Sequence, residues 1–107
     1  MKYKIVITEK ASTDLDQIIT YIKDVLLNPE AALRWLQRIS QAIDGLESLP
    51  ERYALADDPV LEANAIRWFS VGNYLVFYTV SDNDALVFIL RVLYRRRNWK
   101  IILQQKT

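Results

Sequence analysis

Four arginines fall within seven positions in Arg91-Val92-Leu93-Tyr94-Arg95-Arg96-Arg97, directly after the apolar stretch ALVFIL at 85–90. No acidic residue stands between Asp84 and the C-terminus to neutralise them. A guanidinium stays charged and offers a planar fork of donors, so arginine suits bidentate contact with phosphate or carboxylate better than lysine does. Tyr94 and Trp99 flank the run. Their rings can stack on a base or pin the C-terminal segment to a sheet. Arg91, Arg95, Arg96, Arg97 and Trp99 are therefore the candidate target-binding residues. Arg91 also shares a strand alternation with Val87, Ile89, Leu93 and Arg95, where it can equally pair with an acidic residue of a helix. Arg67 is open to the same two readings. The competing reading of positions 95–97 is a solvated turn, the usual fate of a charge run.

The chain has no histidine and no cysteine. Zinc sites of the usual kind, Ser-His-Asp triads and histidine-pair nuclease chemistry are excluded, and no disulfide framework exists. Any catalysis must use carboxylates, Lys, Arg or Tyr. Two carboxylate pairs occur, in DLDQ at 14–17 and ADDP at 56–59. One opens a helix and the other lies in a loop, with no second cluster to complete a metal site, so both read as structural. No metal or cofactor is expected.

The formal net charge of +1 conceals a division. Residues 1–62 carry 7 basic and 11 acidic side chains, whereas residues 63–107 carry 7 and 2. The C-terminal part is the one suited to an anionic partner, unless the acidic part neutralises it within the fold. With 51% apolar and 25% charged residues, the 107-residue chain reads as one folded domain spanning 1–107. MKYKIVITEK lacks the apolar core of a signal peptide and no run approaches membrane-spanning length, so a cytoplasmic location away from membranes is expected.

The elements that must position these residues follow from periodicity. YKIVIT at 3–8 is short and β-branched, a strand. Thr8 can cap a helix whose apolar stripe is Ala11, Leu15, Ile18, Ile22 and Val25. Asn28, Pro29 and Glu30 start a second helix, with a stripe of Ala32, Trp35/Leu36, Ile39, Ala42/Ile43 and Leu46. A link of about three residues folds the two into an antiparallel hairpin. Trp35 lies at the margin of its stripe and is expected in the core. Residues 51–62 show no period and read as the longest loop. AIRWFSV and YLVFYTV flank Gly72-Asn73, a two-residue hairpin signal, and SDND at 81–84 leads into ALVFILRVL. The fold class is α+β: an N-terminal strand, a helical hairpin, then a three-stranded antiparallel meander with the helices on one sheet face. The last two strands are apolar on both sides, so the C-terminal segment or a partner chain must cover the second face.

ITEKASTDLDQIITYI, LESLPERY, RWFSVGNYLVFYTV and LRVLYRRRNW together resemble the RelE/ParE superfamily, the toxins of type II toxin–antitoxin systems, over nearly the whole chain. The resemblance implies a small toxin neutralised by a co-encoded antitoxin in a toxin–antitoxin hetero-oligomer, the kind of system that also serves plasmid stabilisation. VGNYLVFYTV and RVLYRRRNW are similar to the ParE-like branch, which implies growth arrest by binding to DNA gyrase without catalysis. The RelE-like branch, which cleaves messenger RNA on the ribosome, is the alternative. That branch tends to place two lysines where this chain has Ala65-Ile66-Arg67, an arginine where Leu75 stands, and a tyrosine where Trp99 stands. Only Arg95 falls on one of its functional arginines, with Arg67 an approximate substitute. A ribonuclease built here would use Arg67, Tyr74, Tyr94 and Arg95, with a tyrosine as proton acceptor or donor. A third reading is a toxin-derived module that serves only assembly or autoregulation.

Overall fold

The computed structural model describes residues 2–104, so Lys106, counted in the C-terminal charge, lies outside the described residues. The order is β1 (Lys4–Ile7), α1 (Glu9–Thr20), α2 (Pro29–Asp44), α3 (Pro59–Ala63), β2 (Arg67–Val71), β3 (Tyr74–Ser81), β4 (Leu86–Tyr94) and α4 (Trp99–Gln104). The sheet runs β1-β4-β3-β2. The expected antiparallel meander is β2-β3-β4, and β1 joins it parallel to β4.

Both helix starts are set by local chemistry. The Thr8 hydroxyl accepts from the Ala11 amide at 3.2 Å and donates to the Ile89 carbonyl at 2.8 Å, so one side chain caps α1 and fastens it to β4. Asn28 accepts from the Ala31 amide, with Pro29 in the first turn of α2. The predicted stripes are buried through Ala11, Ile18 and Ile22 and through Ala32, Trp35, Ile39, Ile43 and Leu46. Val25 departs from its stripe and is 63% exposed. The helix widens into a π turn over Tyr21–Val25, and the extra residue rotates Val25 out to solvent beside Leu26 and Leu27.

On the hairpin face the helices pack on Val76, Tyr78, Val87, Ile89 and Val92. Tyr78 is fully buried and spends its hydroxyl on the Pro50 carbonyl at 2.7 Å. The second face is covered by the chain itself. Phe77 and Leu93 lie under Leu61 of α3 and under Trp99, Ile102 and Leu103 of α4. The helix α3 falls inside the stretch read as a loop. Asp58 caps it by accepting from the Leu61 amide, and Pro59 takes the first helical position. The same carboxylate accepts from the Gln104 side chain at 3.1 Å, so the ADDP pair is structural through Asp58.

One strand register differs from simple alternation. Tyr78 faces Ile89 and Phe77 faces Arg91, leaving Leu90 as a bulge. Beyond it the faces exchange: Val92 joins the hairpin-side core and Leu93 the opposite one. Arg91, Leu93 and Arg95 therefore do not share a face with Val87 and Ile89, contrary to the unbroken alternation expected from sequence.

Candidate functional site

The arginine end of the sheet is held by a buried carboxylate. Asp14 of α1 is 6% exposed and accepts from Arg91 Nε at 2.7 Å, Arg91 Nη2 at 2.9 Å and the Val92 amide at 2.9 Å. β1 ends at Ile7, so the outer edge of β4 lacks a strand partner beyond that point. Thr8 and Asp14 take over its hydrogen bonding from α1. The Asp14 hydrogen bond holds the Arg91 guanidinium above its ordinary value. Arg91, a candidate for target contact, is thus engaged within the protein, and what it positions is the end of β4.

That end turns sharply. The Arg95 amide donates to Asn73, the Arg97 amide to Tyr94 and the Trp99 amide to Arg97, which sends the chain back across the sheet as α4. Arg95, Arg96 and Arg97 are exposed and make no ion pair among the described residues. The turn also separates them. Arg97 lines a cleft on the hairpin face, Arg95 lines a smaller one on the opposite face, and Arg96 lines neither.

The hairpin-side cleft has a volume of about 970 Å³. Its floor is a chain of edge-to-face rings: Trp35 to Tyr74 at 5.2 Å and Tyr74 to Tyr94 at 5.7 Å. Trp35 donates its indole N–H to the Val71 carbonyl at 3.2 Å, which ties α2 to the β2–β3 turn where Gly72 adopts φ +61. That tie brings Arg34 and Arg38, one helical turn apart, to the same cleft as Arg97, with Tyr21 beside them. Burial pushes the Tyr74 phenol up from its ordinary value, and the neighbouring phenols of Tyr21 and Tyr94 add to the shift. Tyr74 is therefore a neutral donor at physiological pH. The only carboxylate lining the cleft is Asp14, already engaged by Arg91.

The opposite-face cleft, about 350 Å³, gathers Trp68, Ser70, Leu75, Phe77, Arg95 and Trp99. Trp99 packs on Phe77 with ring centroids 5.4 Å apart, so it pins α4 to the sheet. Leu75, Arg95 and Trp99 are positions to which the RelE-like resemblance assigns functional residues, and the fold does bring them together. Arg67 is not with them. It sits at the far end of β2, bonded to the Tyr53 carbonyl at 2.7 Å and to Glu51 at 3.2 Å. Four residue steps along the strand, about 13 Å, separate it from Val71 opposite Tyr74. The four residues named for a ribonuclease are thus distributed over three places. Tyr21, Arg34, Arg38, Trp68 and Ser70 were not singled out from sequence. A usable signal existed only for Arg34 and Arg38, which flank Trp35 at helical spacing.

Among solved structures the fold recurs in chains of toxin–antitoxin systems. The chain is similar to one from the chromosomal ParDE system of P. aeruginosa, with 24% identity, a TM-score of 0.70, and coverage of 87% of this chain and 96% of that one. It is also similar to chains of the RelBE2 complex of Mycobacterium tuberculosis and of the archaeal RelE–RelB complex of Pyrococcus horikoshii, each with 21% identity and a TM-score of 0.59. Those matches cover 89% and 91% of this chain and 100% and 99% of the others. Comparison with curated protein sequences gives no match. The family model for the ParE toxin of the type II toxin–antitoxin system parDE matches residues 5–99, and the chain belongs to that family. No helix among the described residues is long and apolar enough to cross a membrane.

Proposed function

We propose that this ParE-family toxin arrests growth by binding DNA gyrase and not by cleaving RNA. The observation that carries the reading is the inventory of the opposite-face cleft. Where the RelE-like resemblance would place a catalytic centre, Arg95 is the one titratable side chain, set among Trp68, Ser70, Leu75, Phe77 and Trp99. Cleavage by the ribose 2′-oxygen needs a proton acceptor, cations around the phosphorane and a donor to the leaving oxygen. Arg95 supplies one of these. Tyr74 and Tyr94 line the other face, and the Tyr74 phenol, pushed up by burial, is a poor base. Binding needs no such group, and the exposed arginines at the end of β4 supply the charge for it.

A co-encoded antitoxin neutralises the toxin in the cytoplasm. The solved relatives of this fold come from toxin–antitoxin systems, which supports that part of the reading. The test runs gyrase supercoiling of relaxed plasmid and a translation extract side by side with the same toxin preparation. Loss of supercoiling without codon-positioned cuts is the expected result. Cuts in the extract with supercoiling intact would transfer the chain to the ribonuclease branch. Silence in both assays would favour an assembly or autoregulation module.

A further inference from the structure

The hairpin-side cleft is rich in cationic donors and poor in anionic acceptors. Arg34, Arg38 and Arg97 line it from two separate elements, and its single carboxylate is consumed by Arg91 and the Val92 amide. Arg34 has one weak partner, Glu30 at 4.0 Å on the exposed helix surface, whereas Arg38 and Arg97 have no ion pair among the described residues. The tyrosines repeat the pattern. Tyr3 and Tyr78 spend their hydroxyls on Asp82 and Pro50, but those of Tyr21, Tyr74 and Tyr94 have no hydrogen-bond partner among the described residues. No buried polar atom of a partly buried residue is left unsatisfied, so the Tyr74 hydroxyl reaches solvent, and all three tyrosines line the cleft. Tyr21 and Tyr94 are also exposed enough to offer ring surface, at 47% and 38%.

We infer that this cleft binds a single nucleic-acid strand, with phosphates on Arg34, Arg38 and Arg97 and a base stacked on Tyr94 or Tyr21. A basic groove interleaved with accessible aromatic rings is the arrangement that holds unpaired strands without sequence preference. An acidic amphipathic protein segment is the competing occupant. Its carboxylates would meet the arginines, but its aliphatic face would lie against unpaired tyrosine hydroxyls, and burying those without acceptors is unfavourable. Phosphate and base edges supply those acceptors. Of the exposed aliphatic residues at this end of the hairpin, Leu26 lines the cleft whereas Val25, Leu27 and Leu33 lie outside its lining, so the exposed aliphatic surface offered to a protein segment there is a single side chain. This site goes beyond the gyrase reading and does not depend on it, because strand binding is measured without gyrase.

The experiment titrates the toxin into fluorescent dT12, a dT12·dA12 duplex and a polyglutamate peptide of matching charge, following anisotropy at several salt concentrations. Saturable binding to dT12 is expected, stronger than to the duplex, with a log–log salt slope of about −2 for three phosphate contacts on a single strand. The exposed pair Arg34→Glu and Arg38→Glu should weaken dT12 binding by roughly tenfold or more per arginine. Tyr94→Ala should weaken it by roughly fivefold or more while Tyr94→Phe, which keeps the ring, stays near wild type. Circular dichroism and thermal melting confirm that each variant is folded. Absence of dT12 binding overturns the proposal, and so does tighter binding of the polyglutamate peptide, which would assign the cleft to an acidic protein segment. Equal affinity for duplex and strand with no effect of Tyr94→Ala would reduce it to a plain electrostatic patch and overturn it as well.

Discussion

On the hairpin face of the sheet, Tyr74 and Tyr94 lie opposite one another with their hydroxyls open to a cleft of about 970 Å³. One residue along each strand, Leu75 and Leu93 also pair, but they point into the core beneath α3 and α4. The two strands are the same; pleat alternation turns one pair toward the open cleft and the next into the core. The bulge at Leu90 then decides which residues go to which face. Without it, Leu93 and Arg95 would join Ile89 on the hairpin side. An arginine run that looks like one patch in sequence is therefore distributed over both faces of one sheet end.

The largest effect should come from removing that distinction by charge reversal. Replacing Arg95, Arg96 and Arg97 together with Glu should leave a folded protein, since exposed substitutions move stability by about half a kcal/mol each. Target contact should lose about 1.5–3 kcal/mol for every arginine engaged, enough to abolish growth arrest and inhibition of supercoiling. Single substitutions sharpen the contrast. The hairpin face is the more open, so Arg97→Glu should reduce inhibition more than Arg95→Glu. The reverse order, measured as the toxin concentration for half-inhibition, would move the contact to the face of Trp68 and Trp99.

Next in size is Asp14→Ala. It strips Arg91 of its partner and the Val92 amide of its acceptor, and breaking a buried pair in this way costs about 3–5 kcal/mol. Urea unfolding should show the loss, and Asp14→Ala combined with Arg91→Leu should recover much of it. Trp99→Ala should cost less, about 2 kcal/mol, because this ring is only partly buried and a fully buried Trp is worth more. Its signature should be hydrogen exchange rising in α4 and around Phe77 while α1 and α2 stay protected. Exchange rising equally on both faces would show that the two cores are not separable. The smallest effect concerns pH. Tyr74 titrates above the ordinary 10.0 of a tyrosine in the folded protein, so the unfolded chain ionises first. The contribution of Tyr74 to stability should be constant below about pH 10 and be lost as pH rises from there to the raised folded value. Tyr74→Phe should flatten that fall, as read by melting temperature against pH.

Features encoded by neighbours in sequence were legible before the structure. Thr8 before an apolar stripe, Asn28-Pro29 and Gly72-Asn73 each act within a few residues, and each marks the boundary expected of it. The bulge was not legible. ALVFIL is apolar at every position, so no polar residue marks a change of face and the register is set by β3 and α1. The short helix α4 has a single turn and a half of sequence, too little for a period to emerge. The cleft was illegible for a different reason. Nothing in the sequence joins Arg34 and Arg38 to the β4 arginines; the link is Trp35 donating to Val71, a contact 36 residues away. Arg91 was balanced between target and helix, and only the structure shows that it has a helix partner, Asp14.

The parallel pairing of β1 with β4 has a consequence in time. Thr8 and Ile89 are 81 residues apart, so the first strand made by the ribosome waits for the last one before it has a neighbour. The helical hairpin has mostly local contacts and can form early, whereas the sheet cannot close until nearly all of the chain has been synthesised. During that interval the apolar strands β3 and β4 are uncovered, a state prone to aggregation. The Asp14–Arg91 pair also joins the two ends of synthesis, so the arginine end is assembled only on completion. The helical hairpin therefore emerges before the sheet end that carries the arginines, and any partner that meets the growing chain meets the hairpin first.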